Sequence, residues 1–221
     1  MRIALSASTT RRAWLKGVAV ALAVSPTLAT SATVAGRAPV VTLLGDSVTA
    51  GYGLPSARAL PTRLQAALAR LGAAAMVRGA GVSGDTTADG LARVDFSVQP
   101  DTTVCVVALG GNDLLQGLDP KAMRSNLEAI VRRLKARHIA VVLVGLTAPR
   151  AIGAGYAQDF DAVFPAVAKE TGARLYPDLL AGVARNPGLN QADGIHPNPA
   201  GVEIIAQRLA PVVAQSLRRP R

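Results

Sequence analysis

The 221-residue chain is poor in the residue types that form disulfides and bind transition metals. It has one cysteine, Cys105, and two histidines, His138 and His196. A single cysteine excludes an intramolecular disulfide, so Cys105 is expected to be a small apolar group of the core. Few histidines and no cysteine cluster make a poor zinc site. The composition therefore argues against a zinc enzyme, whereas a magnesium site built from carboxylates alone stays open.

Aromatic residues are also scarce, at 3% of the chain. The formal net charge is +10, so an anionic partner has to be considered. Proteins that bind single-stranded nucleic acids combine basic grooves with aromatic side chains on which bases stack. No basic run of this chain is interleaved with aromatics, so we expect no nucleic-acid binding. The basic residues in 218–221 are interpreted as a solvated tail.

The N-terminal segment has no acidic residue, and its apolar run is too short for a membrane span. Basic residues are followed by a run of 13 small or apolar residues at 17–29 and by further small residues at 30–35. A helical span needs about 20 apolar residues, whereas this layout is typical of a cleavable secretory signal. We predict a signal peptide over residues 1–35, cleaved after Ala32 or Ala35. An uncleaved anchor is the alternative.

Residues 10–16, Thr-Arg-Arg-Ala-Trp-Leu-Lys, resemble a twin-arginine export signal, which carries folded proteins across the bacterial inner membrane. Trp14 stands where that pattern usually has Phe, and an ordinary signal with a basic start is the alternative. Removal of residues 1–35 would lower the net charge from +10 to +6, because four basic residues and no acidic ones are lost. We expect a periplasmic or secreted bacterial protein without a stable membrane anchor.

The rest of the chain alternates short apolar runs with helical periodicity. The apolar runs predict strands at 40–44, 74–78, 103–109, 140–146 and 174–176. Residues at helical spacing predict helices at 61–71, 86–94, 120–137, 156–171 and 199–217. Continuous apolar runs indicate strands buried on both faces, as in a parallel sheet covered by helices. We predict one domain at 38–217, a three-layer α/β/α sandwich with a central parallel sheet and no internal repeat.

A serine and a histidine at opposite ends of this domain are candidates for catalysis, because function gathers at the carboxyl ends of parallel strands. Ser47 follows the first strand, although a lone serine in a glycine-rich turn is more often a turn or cap residue. The chain lacks the G-x-S-x-G elbow of α/β-hydrolases. His196 follows Asp193 by three residues in a loop with glycine and proline. The carboxylate can fold back and hold the imidazole, as in a hydrolase that prepares a general base.

Two further strand ends carry glycine-rich turns. Residues 79–84 read G-x-G-x-x-G, which can bind a dinucleotide. The pattern follows the second strand rather than the first, and Asp101 precedes the next strand instead of ending it, which argues against a nucleotide-dependent oxidoreductase. The alternative is a turn that directs a backbone N–H at a developing oxyanion. Asn112 follows a glycine pair, and its amide can donate to such an oxyanion or form an Asx turn.

Four sequence blocks together resemble the SGNH (GDSL-type) hydrolase family. They read GDSVTAGYG at 45–53, GVSGDTT at 81–87, GGNDLL at 110–115 and DGIHPN at 193–198. The resemblance runs through nearly the whole mature chain and is closest to the periplasmic thioesterase/lysophospholipase/arylesterase branch. Val48 replaces the usual leucine, a conservative change. The family resemblance implies a flavodoxin-like α/β/α sandwich.

The resemblance also implies a serine esterase that needs no cofactor or metal. Ser47 is then the nucleophile, His196 the general base, and Asp193 the carboxylate that orients the base. The oxyanion hole consists of the N–H groups of Ser47 and Gly84 and the side chain of Asn112. Expected substrates are small-molecule or lipid esters such as aryl esters, acyl thioesters or lysophospholipids. The alternatives are a carbohydrate deacetylase of the same family and a non-catalytic acyl- or glycan-binding domain.

Three further expectations concern residues around this site. Asp46 is expected to brace the loop rather than react, and His138 to be a solvated histidine at a helix end. The segments 114–118 and 147–155 mix apolar residues with glycine. They are predicted to be loops that form an adaptable apolar pocket for an acyl group.

Overall fold

The computed structural model describes residues 38–218, together with Met1 and Ala4. From Ala38 onward, the described residues form one compact unit. Nearly all of the predicted signal peptide, and the tail beyond Arg218, lie outside the described residues, so those predictions stay as made. Among the described residues, no helix is long and apolar enough to cross a membrane.

Five parallel strands form the central sheet: β1 (Val40–Gly45), β2 (Met76–Gly81), β3 (Thr102–Ala108), β4 (Ala140–Val144) and β5 (Arg174–Tyr176). Their order is β2-β1-β3-β4-β5, and each neighbouring pair is parallel. This is the flavodoxin-like order, in which the strand order reverses between β1 and β3. Ligands of such sheets bind outside the carboxyl ends of the strands at this point.

Helices cover both faces of the sheet: α1 (Ser47–Ala50), α2 (Leu60–Arg70), α3 (Thr87–Ser97), α4 (Gly111–Gln116), α5 (Pro120–Ala136), α6 (Ala154–Thr171) and α7 (Pro199–Leu217). One face is packed by α2 and α7, and the other by α3, α5 and α6. The predicted three-layer α/β/α sandwich is therefore confirmed. The short helices α1 and α4 were not predicted, because four and six residues are too few to show helical periodicity.

The inner strands are buried on both faces, and β3 shows why. Its side chains alternate, with Val104 and Val106 against α2 and α7, and Cys105 and Val107 against the other helices. Full burial of a valine contributes about 1.5–3 kcal/mol. Burial also raises the pKa of the Cys105 thiol to about 12, so this cysteine is an inert core residue, as predicted. The edge strands β2 and β5 are only partly buried, contrary to the prediction.

The second strand lies later in the chain than predicted, at Met76–Gly81 instead of 74–78. Two of the three glycines in the G-x-G-x-x-G pattern therefore lie inside β2, and only Gly84 lies in a loop. A Cβ at Gly81 would lie 2.3 Å from the backbone nitrogen of Ala50, so this glycine allows β2 to pass against α1. The glycines thus serve strand and helix packing, unlike those of a phosphate-binding turn.

The helix after this turn also differs from the prediction of 86–94. Thr86 is its N-cap, and the helix runs from Thr87 to Ser97. Thr86 and Asp89 form a capping box, in which each side chain accepts the backbone N–H of the other residue. Such a cap satisfies two of the N–H groups that a helix start leaves without partners. The cap fixes where the chain leaves the Gly84 loop.

Candidate active site

Ser47 is the first residue of α1, directly beyond the carboxyl end of β1. Asp46 caps this helix, and its Oδ1 accepts the N–H of Val48 at 3.0 Å. Gly51 ends the helix with a φ of 78°, which suits glycine at a helix C-terminus. Since the first N–H of a helix has no partner within it, the N–H of Ser47 remains available as a donor.

Burial has a large effect on Asp46, which is only 7% exposed. Loss of solvation raises the pKa of its carboxyl group to about 6, while the hydrogen bond from the Val48 N–H opposes the rise. The carboxylate also lies against Gly111, where a Cβ would be 3.0 Å from Oδ2. Asp46 thus braces the turn between β1 and α1, as the sequence predicted.

Asp193 and His196 lie in the loop between β5 and α7. Asp193 Oδ1 accepts the backbone N–H groups of Ile195 at 2.9 Å and of His196 at 3.0 Å. Gly194 supports the turn with a φ of 70°. The N–H of Gln191 donates to the carbonyl oxygen of His196 at 2.8 Å and closes the base of the loop. The carboxylate therefore folds back onto the histidine, as the three-residue spacing predicts.

The structure brings Ser47, His196 and Asp193 into one hydrogen-bonded series. His196 Nδ1 lies 2.6 Å from Asp193 Oδ2, and His196 Nε2 lies 2.9 Å from Ser47 Oγ. When Nδ1 carries the proton and donates it to the carboxylate, Nε2 accepts the hydroxyl proton of Ser47. Hydrogen bonds from the His196 N–H, the imidazole and the Ile195 N–H lower the pKa of Asp193 to about 2. Asp193 is therefore ionised at neutral pH.

A glutamine joins the histidine loop to the segment that follows α1. Gln191 Nε2 donates to the carbonyl oxygens of Tyr52 at 2.9 Å and of Pro197 at 3.1 Å. The ring of Tyr52 in turn lies against the imidazole of His196. Sequence reasoning missed both residues, although Tyr52 belongs to the first sequence block.

Gly84 and Asn112 line the same cleft as Ser47. Gly84 has a φ of 93°, a conformation that favours glycine. Asn112 lies in the first turn of α4, and its Nδ2 donates to the carbonyl oxygen of Asp85 at 2.8 Å. A side-chain amide has two N–H groups, so one of them fixes the side chain and the other can donate into the cleft. The three residues predicted for an oxyanion hole thus share one cleft.

A buried carboxylate holds α4 against the start of α3. Asp113 is 2% exposed, and it accepts the N–H of Thr87 at 2.8 Å and the Thr87 hydroxyl at 2.6 Å. Asn126 on α5 donates to the same hydroxyl oxygen at 3.1 Å. These bonds satisfy a buried charge and fix the position of the neighbouring Asn112.

The cleft over Ser47 and His196 has a volume of about 340 Å³. Its wall is mostly apolar and is formed by Val144, Leu146, Leu114, Leu115, Leu179, Leu180 and Ile195. From the two predicted pocket segments, Leu114, Leu115 and Thr147 line the cleft. The first of these segments is largely helix α4 rather than a loop. Leu179 and Leu180 were missed, although they follow the carboxyl end of β5, where function was expected.

The second histidine of the chain, His138, lies outside this cleft. His138 is exposed just beyond the end of α5, with a φ of 58°, as predicted for a solvated histidine at a helix end. Within residues 38–218, no group of three or more His, Cys, Asp and Glu side chains is placed to hold a metal ion.

The chain matches known proteins over most of its length. Residues 43–204 match the GDSL-like Lipase/Acylhydrolase family. The chain is 35% identical to the esterase TesA of Pseudomonas aeruginosa over 172 residues, which cover 77% of this chain and 86% of that protein. It is 34% identical to thioesterase 1/protease 1/lysophospholipase L1 of Escherichia coli K12 over 184 residues, which cover 81% of this chain and 87% of that protein.

A solved structure shows the same likeness in three dimensions. The crystal structure of AlinE4, an SGNH-hydrolase family esterase, superposes with a TM-score of 0.69 at 42% identity and covers 83% of this chain and 99% of that chain. The family resemblance carried by the four sequence blocks is thus confirmed. The chain belongs to the GDSL-like lipase/acylhydrolase family of SGNH hydrolases, and it is a carboxylic ester hydrolase.

Proposed function

We propose that the chain hydrolyses carboxylic esters and thioesters through an acyl-enzyme formed on Ser47. The observation that carries this proposal is the hydrogen-bonded series from Ser47 Oγ through His196 to Asp193 at an apolar cleft. A serine hydroxyl becomes a nucleophile when a base lies within hydrogen-bond distance and a third group orients that base. Each of these requirements is met by distances of 2.6–2.9 Å.

Acylation begins when Ser47 Oγ attacks the carbonyl carbon of the ester and His196 Nε2 takes the hydroxyl proton. The carbonyl oxygen becomes an oxyanion, which the N–H groups of Ser47 and Gly84 and the amide of Asn112 stabilise. The ionised Asp193 stabilises the imidazolium. The C–O or C–S bond then breaks, and the imidazolium gives its proton to the leaving alcohol or thiol.

Deacylation repeats these steps with water. His196 takes a proton from a water molecule, whose oxygen attacks the acyl carbon on Ser47. The same donors hold the second oxyanion. The bond to Ser47 Oγ breaks, the proton returns to Ser47, and the carboxylic acid leaves. Protein groups and water suffice for both half-reactions.

The apolar wall of the cleft supports aryl esters, acyl thioesters and lysophospholipids as the substrate class. Each buried methylene contributes about 0.8 kcal/mol. With p-nitrophenyl esters of rising chain length, kcat/KM should therefore increase by up to about fourfold per methylene until the chain fills the cleft. Acyl-CoA and a lysophospholipid complete the panel. A clear preference for acetylated sugars over all of these esters would replace this substrate class with the carbohydrate deacetylase alternative.

The nucleophile is tested by Ser47→Ala. The variant should lose ester hydrolysis and labelling by a fluorophosphonate probe, while its circular dichroism spectrum and Tm stay close to those of the parent. Ser125→Ala is the matched control, because Ser125 Oγ donates only to the carbonyl oxygen of Lys121 on the exposed face of α5. Full hydrolysis by purified Ser47→Ala would refute the proposed mechanism.

We also infer that the chain is exported and processed, from the signal pattern at residues 1–35. N-terminal sequencing of the protein from a periplasmic fraction should start at Thr33 or Gly36, the residues after the two predicted cleavage sites. Replacement of Arg11 and Arg12 by lysine should block export if the twin-arginine route is used. A protein that keeps Met1 and stays with the membranes would favour the uncleaved anchor.

A further inference from the structure

Arg93 on α3 makes four hydrogen bonds, and three of them reach other segments of the active-site edge. Its Nε donates to Asp85 Oδ2 at 2.5 Å, and one terminal nitrogen donates to the carbonyl oxygen of Gly45 at 2.9 Å. The other terminal nitrogen donates to the carbonyl oxygen of Ala80 and to Ser97 Oγ, both at 2.9 Å. The side chain is only 19% exposed, and Arg93 is not one of the residues that line the cleft.

The partners of Arg93 are next to the three donors of the proposed oxyanion hole. Gly45 ends β1 two residues before Ser47. Asp85 directly follows Gly84, and its own carbonyl oxygen accepts the Nδ2 of Asn112 at 2.8 Å. A single guanidinium group therefore connects the backbone before Ser47 with the segment that carries Gly84 and anchors Asn112.

The segment that needs this support is rich in glycine. Residues 81–85 contain Gly81 and Gly84, which restrict the backbone less than any other residue type. Oxyanion donors act only when they are held about 2.7–3.1 Å from the position that the oxyanion will occupy. A planar guanidinium with five N–H donors in a fixed arrangement can hold several acceptors at set distances.

We propose that Arg93 is a positioning residue for ester hydrolysis, which sets the spacing of the Ser47, Gly84 and Asn112 donors without touching the substrate. The inference rests on the proposed oxyanion hole. Its effect comes from geometry rather than from charge, because Asp85 pairs with the guanidinium directly. A lysine at this position keeps the positive charge but cannot bridge the same acceptors, since its ammonium is a compact point charge.

Arg63 provides a matched control. Its Nε donates to Glu203 Oε2 at 2.6 Å, and this ion pair joins α2 to α7. The Arg63 side chain is partly buried, at 28% exposure, and it does not line the cleft. Arg63→Lys therefore disturbs an ion pair of similar type that has no contact with the three donors.

The test compares Arg93→Lys with Arg63→Lys in the purified enzyme. A p-nitrophenyl ester gives kcat and KM, and a trifluoromethyl ketone, which forms a tetrahedral oxyanion on the serine, gives an inhibition constant. For Arg93→Lys, kcat should fall about 10- to 100-fold, because a misplacement of about 1 Å can cost 10²-fold. The ketone should weaken by a similar factor, whereas KM and inhibition by the product carboxylic acid should change less than threefold. Arg63→Lys should leave all four values within twofold.

Other results would overturn the inference. If Arg93→Lys keeps kcat and ketone inhibition within twofold of the parent, or if it loses no more than Arg63→Lys, then Arg93 has only a structural role. Should Arg93→Lys not fold, Asp85→Asn removes the charge that holds the guanidinium and keeps the side-chain shape. The same loss of kcat at unchanged KM is expected there, and full activity would refute the role of Arg93. An active Ser47→Ala variant would instead signal that the proposed function itself is wrong.

Discussion

The phenol ring of Tyr52 lies against the imidazole of His196, with ring centroids 4.6 Å apart and planes inclined by 35°. The hydrogen bond from Gln191 to the carbonyl oxygen of Tyr52 holds the two segments together. In the proposed reaction His196 becomes a cation each time it takes a proton. A cation beside an aromatic face is stabilised by about 0.5–1 kcal/mol at an exposed site. The Tyr52 ring should therefore stabilise the imidazolium of His196 in the proposed reaction, although Tyr52 is not part of the hydrogen-bonded series from Ser47 to Asp193.

Replacement of the Tyr52 ring should slow turnover moderately. Tyr52→Leu is expected to lower kcat about two- to fivefold, the factor that corresponds to 0.5–1 kcal/mol. Tyr52→Phe keeps the ring and should retain nearly the parental kcat. Steady-state kinetics at saturating ester measure both variants. Equal losses in the two would mean that the hydroxyl group, not the ring, matters.

Removal of the Asn112 amide should affect turnover far more. Asn112→Ala is expected to lower kcat about 10²- to 10³-fold, the usual cost of one oxyanion donor. Asn186→Ala is the control, because Asn186 Oδ1 accepts the N–H of Gly188 at 3.0 Å and Asn186 does not line the cleft. That variant should lose stability but keep kcat within about twofold. A loss below threefold in Asn112→Ala would exclude Asn112 from the oxyanion hole.

Loss of the Asp193 carboxylate should lower turnover, because this group orients the imidazole of His196 and stabilises its charged form in the proposed reaction. Asp193→Asn is expected to lower kcat about 10³- to 10⁴-fold, because an amide favours the wrong imidazole tautomer. Asp178→Asn is the control, since Asp178 Oδ1 accepts the N–H of Leu180 at 2.9 Å in the same type of turn. Because the pKa of Asp193 is lowered to about 2, protonation of this group should not reduce activity between pH 4 and 8. Activity that follows an Asp193 titration in that range would contradict this assignment.

Asp46 should make the fold less stable at neutral pH than at pH 4. Its pKa is raised from an ordinary 3.8 to about 6 by burial. The folded state therefore holds a proton that the unfolded chain releases, and the free energy of unfolding falls as pH rises from about 4 to 6. Over the whole titration, this rise in the pKa of Asp46 corresponds to a loss of about 3 kcal/mol in the free energy of unfolding. Asp46→Asn keeps the acceptor for the Val48 N–H without a charge, so it should be more stable than the parent above pH 6.

Urea unfolding at pH 4, 6 and 8 measures this difference between Asp46→Asn and the parent. Asp119→Asn is the control, because Asp119 caps α5 by accepting the Lys121 N–H at 2.9 Å. An asparagine caps a helix about as well as an aspartate, so this control should differ little from the parent at each pH. A difference between Asp46→Asn and the parent that stays constant from pH 4 to 8 would contradict the buried titration.

Local sequence patterns predict the inner strands of the sheet and part of the candidate site. Continuous apolar runs predict the buried inner strands, and the spacing of Asp193 and His196 predicts the carboxylate that folds back, because three residues suffice for that turn. The sequence places the second strand too early, because the glycines at 79 and 81 favour a loop in a local pattern although they lie in β2. Close approach of α1 to the strand, which requires a glycine, is not visible in a local pattern.

Around the candidate site, too, some contacts cannot be predicted from local sequence patterns. Arg93 looks like any helix-surface cation in the sequence, yet it bonds to the carbonyl oxygen of Gly45, 48 positions away. Gln191 reaches the carbonyl oxygen of Tyr52 across 139 positions. Contacts of this range depend on how α3 and the histidine loop pack against the sheet, so no local signal reports them.

The amino-acid sequence by itself determined the parallel α/β architecture, the family and the identity of the candidate catalytic residues. Each depends on apolar periodicity or on short blocks whose members are neighbours in the chain. The tertiary structure alone decided that Ser47 and His196, 149 positions apart, lie within 2.9 Å. It also decided that Leu179 and Leu180 wall the cleft. The physical reason is that parallel strands end at one common edge, where loops distant in sequence meet and pack.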